Sequence, residues 1–333
     1  MGKKKPTISD VAKKSGVSLS ITRKIIGNTY QGPEEPRIKV LRAVEALGYK
    51  REIRDREGRS NTIALLAPFF FAPFVSEMVD GIEKKIVGTP YNASQYSTKG
   101  ILENESAIIH RILRTGVADA FILFNIPVDE DILRELKKRK VPVVSMEREI
   151  PFFTCITTDN MQGSYLGTEH LIKTGKKNIA IVIGKRYLPD IQNERIKGYM
   201  KALDDHGLEF KDDNIIVITY HDFDHGVDTF NNIIKNRPDI DAIFCMAGDI
   251  VATGIMAAAK SQGVKIPEQL AIIGYDDLEV ARYVTPPLTT IRQPARKMGE
   301  KAVEIVIDEL ESKGTKVPME VVFKSELIKR GSA

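Results

Sequence analysis

The chain has 333 residues, room for two or three domains, and 42% of them are hydrophobic, enough for sizeable cores. No run approaches the roughly 18 consecutive apolar residues of a membrane helix, and no apolar stretch follows the basic residues 1–6 as a secretory signal requires. The net charge of +4 is unevenly placed: residues 1–60 carry 15 Lys and Arg against 7 Asp and Glu, a net +8, while the other 273 carry 34 against 38, a net −4. A small basic head on a mildly acidic body is the charge distribution of a nucleic-acid reader, although a basic tail without structure would share it. The two cysteines, Cys155 and Cys245, are far apart in sequence and form no metal-spaced cluster. They are expected as buried thiols in a reducing cytoplasm.

The head reads as three short helices. Thr7-Ile8-Ser9-Asp10-Val11-Ala12 opens with capping residues, Ile8, Val11 and Ala12 recur at helical spacing, and Gly16 supplies a tight turn. Ser18 can cap a second helix from Leu19 to Ile26, with Ile21 and Ile25 inward and Ser20, Arg23 and Lys24 outward. Gly27-Asn28 ends it, and a third helix is expected over 36–47, with Ile38, Leu41, Val44 and Leu47 as its apolar stripe. Two short helices joined at a glycine, the second polar and basic, form a helix-turn-helix, whose second helix fits the major groove. A plain three-helix packing module with solvated charges is the competing reading.

Beyond residue 61, apolar runs alternate with helical stretches. Buried strands are expected at 63–66, 120–124 and 141–144, and again at 179–183, 215–218, 242–245 and 271–273. The intervening helices cover about 74–87, 103–115 and 129–139, then 161–174, 192–206, 224–236 and 249–262. Alternation on this scale means doubly wound parallel sheets, and two such runs suggest two lobes with a cleft between them. Ligands in such sheets bind beyond the carboxyl ends of the strands. Asn125, Glu147, Arg148, Gly248, Asp249, Asp276 and Asp277 stand there, and Arg195 lies early in a helix of the second lobe. Carboxylates, an amide and a guanidinium suit the vicinal hydroxyls of a sugar. Phe70, Phe71 and Phe74 could stack on a ligand or belong to the lobe core. Asp249 could equally cap its helix, as Asp129 and Asp224 are expected to do. No dinucleotide, P-loop or nucleophile-elbow motif occurs, so neither catalytic residues nor a cofactor are expected. His221-Asp222-Phe223-Asp224-His225 reads as a solvated loop in preference to a metal site.

The sequence resembles the LacI/GalR family of transcriptional regulators. The likeness rests on Thr7-Ile8-Ser9-Asp10-Val11-Ala12, Ser15-Gly16-Val17-Ser18 and Leu47-Gly48-Tyr49. It continues through Thr158-Asp159-Asn160, Gly263-Val264-Lys265-Ile266-Pro267, Ile273-Gly274-Tyr275-Asp276-Asp277 and Pro286-Pro287-Leu288-Thr289-Thr290-Ile291. It implies an all-α helix-turn-helix domain over 1–49, a charged linker over 50–61, and a periplasmic-binding-protein-like effector and dimerisation domain over 62–333. The chain would cross between lobes near 158–161, 288–292 and 320–324. Lobe 1 would then hold about 62–158 and 292–320, and lobe 2 about 161–288 and 324–333. An ungapped match to the family's recognition helix makes Leu19, Ser20 and Lys24 the base readers and Arg23 a phosphate contact. Thr7, Ser18 and Asn28 complete this DNA-binding set. The linker is shorter than usual and lacks a leucine, so Arg54 and Arg56 would reach a minor groove by charge, unless it is only a charged tether. The effector set is Phe71, Phe74, Asn125, Glu147, Arg148, Arg195, Gly248, Asp249 and Asp276. The resemblance supports Arg195, Asp276 and Asn125 most. The implied function is a cytoplasmic homodimeric repressor that binds double-stranded operator DNA and answers to a small molecule, a sugar or sugar derivative, with no membrane association. The alternative is a solute-binding protein delivering a sugar to a transporter, which would need a secretory signal and no helix-turn-helix.

Overall fold

The computed structural model describes residues 6–26, 30, 32–49, 60–184, 189–312 and 317–333. They fall into two compact units, one running through Asn61 and including Ile109–Asp119, the other made of Thr62–Ile108 and Ala120–Ala333. In the first unit, Ser60 and Asn61 donate their backbone N–H groups to the Asp119 carboxylate at 3.1 and 2.7 Å.

The head contains α1 (Ile8–Ser15), α2 (Leu19–Ile26) and α3 (Glu34–Leu47). Thr7 caps α1 in a reciprocal box with Asp10, and Gly16 leaves the helix in the left-handed conformation that a residue with a Cβ resists. Val11, Ile25, Val40 and Ala43 form the small core, with Val17, Ile21, Val44 and Leu47 against it. The expected stripe on α3 is therefore partly wrong. Ile38 and Leu41 are 44% and 52% exposed, and Val40 and Ala43 take the inward positions. Thr22, not foreseen as a core residue, is fully buried and donates its hydroxyl to the Val17 carbonyl at 3.3 Å.

The second unit begins with β1 (Thr62–Ala67), α4 (Pro73–Ile86), β2 (Asn92–Ser97), α5 (Leu102–Thr115, whose residues from Ile109 on belong to the first unit), β3 (Ala120–Phe124), α6 (Glu130–Arg139), β4 (Val143–Met146) and β5 (Thr154–Thr158). It continues with α7 (Asn160–Lys173), β6 (Ile179–Gly184), α8 (Pro189–Asp205), β7 (Ile215–Ile218), α9 (Phe223–Asn236), β8 (Ala242–Cys245), α10 (Asp249–Ser261) and β9 (Ala271–Asp276). It closes with α11 (Val280–Tyr283), β10 (Thr289–Arg292), α12 (Ala295–Glu311), β11 (Glu320–Phe323) and β12 (Glu326–Ile328). Two six-stranded sheets result, in the orders β11-β5-β4-β3-β1-β2 and β12-β10-β9-β8-β6-β7. Every pairing is parallel except that of β10 with β12. The apolar runs are buried on both faces, as β3, β6 and β8 show, because helices cover parallel sheets on both sides. The two lobes are thus the doubly wound α/β layers expected.

The chain passes between the sheets after Thr158, at Gln293–Pro294 and at Lys324–Ser325. The second passage lies just beyond the expected 288–292, and the third begins at Lys324, the last residue of the expected 320–324. β10 stays paired with β9 through Arg292, and β11 with β5 through Phe323. In each sheet the strand order reverses around one strand, β1 in the first and β6 in the second. Crevices open beyond the carboxyl ends at such reversals.

Candidate DNA-binding face and effector cleft

On the head, α2 buries Thr22 and Ile25, which fixes its rotation. Ser20, Arg23 and Lys24 are consequently exposed, and Leu19 is half-buried beside them. Ser18 accepts the Ile21 N–H at 3.3 Å, as a capping residue should. Thr7 is exposed, and its hydroxyl donates to Asp10 at 2.6 Å. A polar, basic face on the second helix of the pair is what groove binding demands. Asn28, Arg54 and Arg56 lie outside the described residues.

In the body, the carboxyl ends of β3, β4, β8 and β9 present Asn125, Glu147, Gly248 and Asp276. Asn125, Glu147, Asp276 and Asp277 all have positive φ, at 52°, 62°, 105° and 55°. Non-glycine residues held there cost of order 1–3 kcal/mol each and cluster at ligand sites. Asn125 accepts a hydrogen bond from Arg148 Nε at 2.9 Å, so these two form one unit on the first lobe. On the second lobe Arg195 is central. Its Nε donates to Asn160 Oδ1 at 2.9 Å, its Nη1 donates to the Met246 carbonyl at 2.6 Å, and its guanidinium lies 3.8 Å over the Tyr275 ring.

Glu147 and Asp276 keep a solvent-facing edge but sit deep in the protein. Burial pushes Glu147 up to about 7 against the opposing pull of Arg195, and Asp276 helps to raise it. Burial likewise raises Asp276 to about 6, again opposed by Arg195 and by a hydrogen bond from Gln293. Gln293 Nε2 donates to Asp276 Oδ1 at 2.6 Å, while Thr158 donates to Gln293 Oε1 at 2.6 Å. The cleft therefore carries one carboxyl group on each lobe, and the charge of Arg195 acts on both. Gly248 has φ 111°, and a Cβ there would stand 3.2 Å from Asp276 Oδ2.

Three sequence expectations change. Asp249 is fully buried, accepts from Thr290 Oγ1 at 2.6 Å and from Leu278 N–H at 2.7 Å, and so braces the second lobe internally. Gly248, not Asp249, is the cap of α10. Phe74 packs on the core of the first lobe with Phe70, whereas Phe71 is 82% exposed with its ring 5.3 Å from Phe69. In the 221–225 segment Asp222, not Asp224, caps α9. His221 through Asp224 are exposed, as expected of a solvated segment, although His221 also makes a contact. The side of its ring that faces Gly184 fills the space of a Cβ there, and the partial loss of water on that side, then Arg195, lower its imidazole.

Known proteins agree with this architecture. A family model described as a periplasmic-binding-protein-like domain matches residues 168–333. The HTH-type transcriptional repressor PurR of Photobacterium profundum is 31% identical over 313 residues, covering 92% of each chain. The protein of that name from Vibrio atlanticus is 32% identical over 314 residues, again covering 92% of each. Among solved structures, the transcriptional regulator CelR–cellobiose complex superposes with a TM-score of 0.74 and 25% identity, over 98% of this chain and 100% of that one. A LacI family transcriptional regulator from Enterococcus faecium with bound ribose gives a TM-score of 0.70 and 25% identity, over 81% and 98%. The chain belongs to the LacI/GalR family.

As a LacI/GalR protein it is a helix-turn-helix transcriptional repressor whose body senses a small molecule. Sequence reasoning missed Asn160, Tyr275 and Gln293 of this LacI/GalR cleft. Asn160 and Tyr275 lay inside quoted family stretches, but only the fold shows them holding Arg195. Gln293 carried no local signal.

Proposed function

We propose that the effector of this repressor is a neutral sugar or close polyol bound between the two lobes. The observation that carries this reading is that the carboxyl ends of β4 and β9 hold Glu147 and Asp276 at positive φ, while Asn160 and the Met246 carbonyl fix Arg195. Two carboxyl groups and two guanidinium groups, Arg195 and Arg148, offer acceptors and donors that suit vicinal hydroxyls. The bound cellobiose and ribose of the structural neighbours support the same class. Asn125 and Arg148 add contacts from the first lobe, Gly248 lets the backbone approach, and Phe71 is available only if the ligand reaches the cleft mouth. The head reads operator bases through Leu19, Ser20 and Lys24, with Arg23 on phosphate. The protein works as a cytoplasmic homodimer, because a two-fold operator needs two heads. Catalysis has no part in this reading.

The test couples two assays on the full chain. Thermal unfolding is followed with cellobiose, D-ribose, other common mono- and disaccharides, sugar phosphates and free purine bases. Any ligand that raises the midpoint is then added to a mobility-shift assay with the protein's own upstream DNA. A neutral sugar should raise the midpoint and change operator affinity. Stabilisation by a purine base or a sugar phosphate alone would overturn the sugar assignment.

A further inference from the structure

We infer that Gln192 is a further effector-recognition residue, whose side-chain carbonyl accepts a hydrogen bond from a ligand hydroxyl in the cleft. The inference rests on the sugar reading above. Helices α7 and α8 run side by side in the same direction. Arg195 is level with Asn160 at 2.9 Å, and a Cβ on Gly198 would lie 2.1 Å from the Met161 carbonyl. Further along, Lys201 Nζ lies 5.9 Å from the Tyr165 ring centre, and His206 meets Glu169 at 4.0 Å. Asn160 is the first residue of α7. The turn of α8 before Arg195 therefore overruns the start of α7, beyond the carboxyl end of β6, where the cleft lies.

Gln192 occupies that turn. Its spacing of three from Arg195 and seven from Tyr199 puts the three side chains on one helix face, and all three are buried. Gln192 is 8% exposed, yet its Oε1 has no hydrogen-bond partner among the described residues. A buried amide oxygen without a partner is destabilising and calls for a reason. Glu147 Oε1, which reaches the cleft from the first lobe, is a second buried acceptor without a partner. Gln192 Oε1 can only accept, and Glu147 Oε1 accepts whenever its carboxyl is ionised or carries its proton on Oε2, so the molecule that completes both must donate. A polyol carries that chemistry, one hydroxyl to each lobe.

Gln192→Met tests this, because it keeps the volume and removes the acceptor. The full chain is compared with wild type in two measurements: thermal unfolding without ligand, and calorimetric titration with whichever neutral sugar stabilises wild type. The ligand-free midpoint of the variant should equal or exceed that of wild type, since an unpaired polar atom has gone. Its sugar affinity should fall at least tenfold. One deoxy analogue, lacking the hydroxyl concerned, should bind variant and wild type equally. A variant that binds the sugar within twofold of wild type, or that is less stable or unfolded without ligand, overturns the inference. A wild type that binds no neutral sugar overturns the reading beneath it instead.

Discussion

Arg195→Met should weaken the protein by an amount that depends on pH. The guanidinium makes two charge-assisted hydrogen bonds, to Asn160 and to the Met246 carbonyl, and stacks 3.8 Å over Tyr275. Methionine recovers much of the stem's packing but none of these. Each charged hydrogen bond contributes about 1.5–3 kcal/mol and the ring contact about 1–2 kcal/mol. Non-additivity brings the expected loss to about 3–5 kcal/mol at pH 8. Glu147 and Asp276 then set the pH dependence. Arg195 opposes the upward push of burial on both carboxyl groups. Without it their folded-state values rise further while the unfolded values stay put. The extra cost is therefore absent where both are protonated anyway and grows as pH climbs through about 6 to 7. Urea unfolding at pH 5.5 and pH 8, followed by circular dichroism, should show a loss roughly 1–2 kcal/mol larger at pH 8. Effector-induced stabilisation should vanish at both, whereas operator binding by the ligand-free protein at low temperature should persist. A loss below about 1 kcal/mol, or one equal at the two pH values, would refute the coupling of the guanidinium to those carboxyl groups.

Two more perturbations probe the same cleft. Glu147 is raised by burial to about 7. The folded state thus keeps a proton that the unfolded chain releases between about 4.5 and 7, so stability falls as pH rises through that window. Glu147→Gln should remove this dependence, leaving stability unchanged at pH 4 and increasing it by about 1–2 kcal/mol at pH 8, after allowance for the solvent-facing edge; calorimetric midpoints across pH that still parallel wild type would contradict this. Gly248→Ala places a Cβ at φ 111°, 3.2 Å from Asp276 Oδ2. It should cost about 1–3 kcal/mol and weaken effector binding in titration by displacing Asp276, and an unaltered dissociation constant would show that Asp276 does not face the ligand.

Much of the fold was legible because burial on both faces leaves a continuous apolar run. Ala120–Phe124, Ile179–Gly184 and Ala242–Cys245 are read as strands on sight. Strand β2, Asn92–Ser97, was not read, because it is an edge strand of small polar residues with no apolar run at all. Strand β5, Thr154–Thr158, hid behind three threonines. On α3, two apolar stripes lie side by side, one through Ile38 and Leu41 and one through Val40 and Ala43. Helical spacing alone favours neither, and only the packing against Val11 and Ile25 selects the second. The cleft divides in the same way. Asp276 and Glu147 could be found because the end of a parallel strand is a privileged place. Asn160, Tyr275 and Gln293 could not, because each matters only through a partner 35 residues or more away in some cases, as Asn160 is from Arg195. Asp249 shows the converse: the right kind of position, but a carboxylate turned inward to Thr290 and Leu278.

The residues that hold the cleft together are also those at the passages between lobes. Thr158 ends the last strand before the first passage, and Gln293 lies at the second. They are hydrogen-bonded to each other, and Gln293 holds Asp276. Asn160, immediately after the first passage, holds Arg195. Just beyond Asp276, Asp277 is ion-paired with Arg292 beside the second passage and with Arg330 in the terminal segment. A ligand that competes for Asp276 or Arg195 therefore acts on groups one hydrogen bond away from two of the three passages. Lobe closure requires changes in backbone angle at such passages. No long relay through the core is needed to connect cleft and hinge, because Asp276 stands at the strained carboxyl end of β9 in the cleft and its hydrogen-bond partner Gln293 lies at the hinge. A shift of a few kcal/mol in those bonds is of the size that allosteric coupling requires.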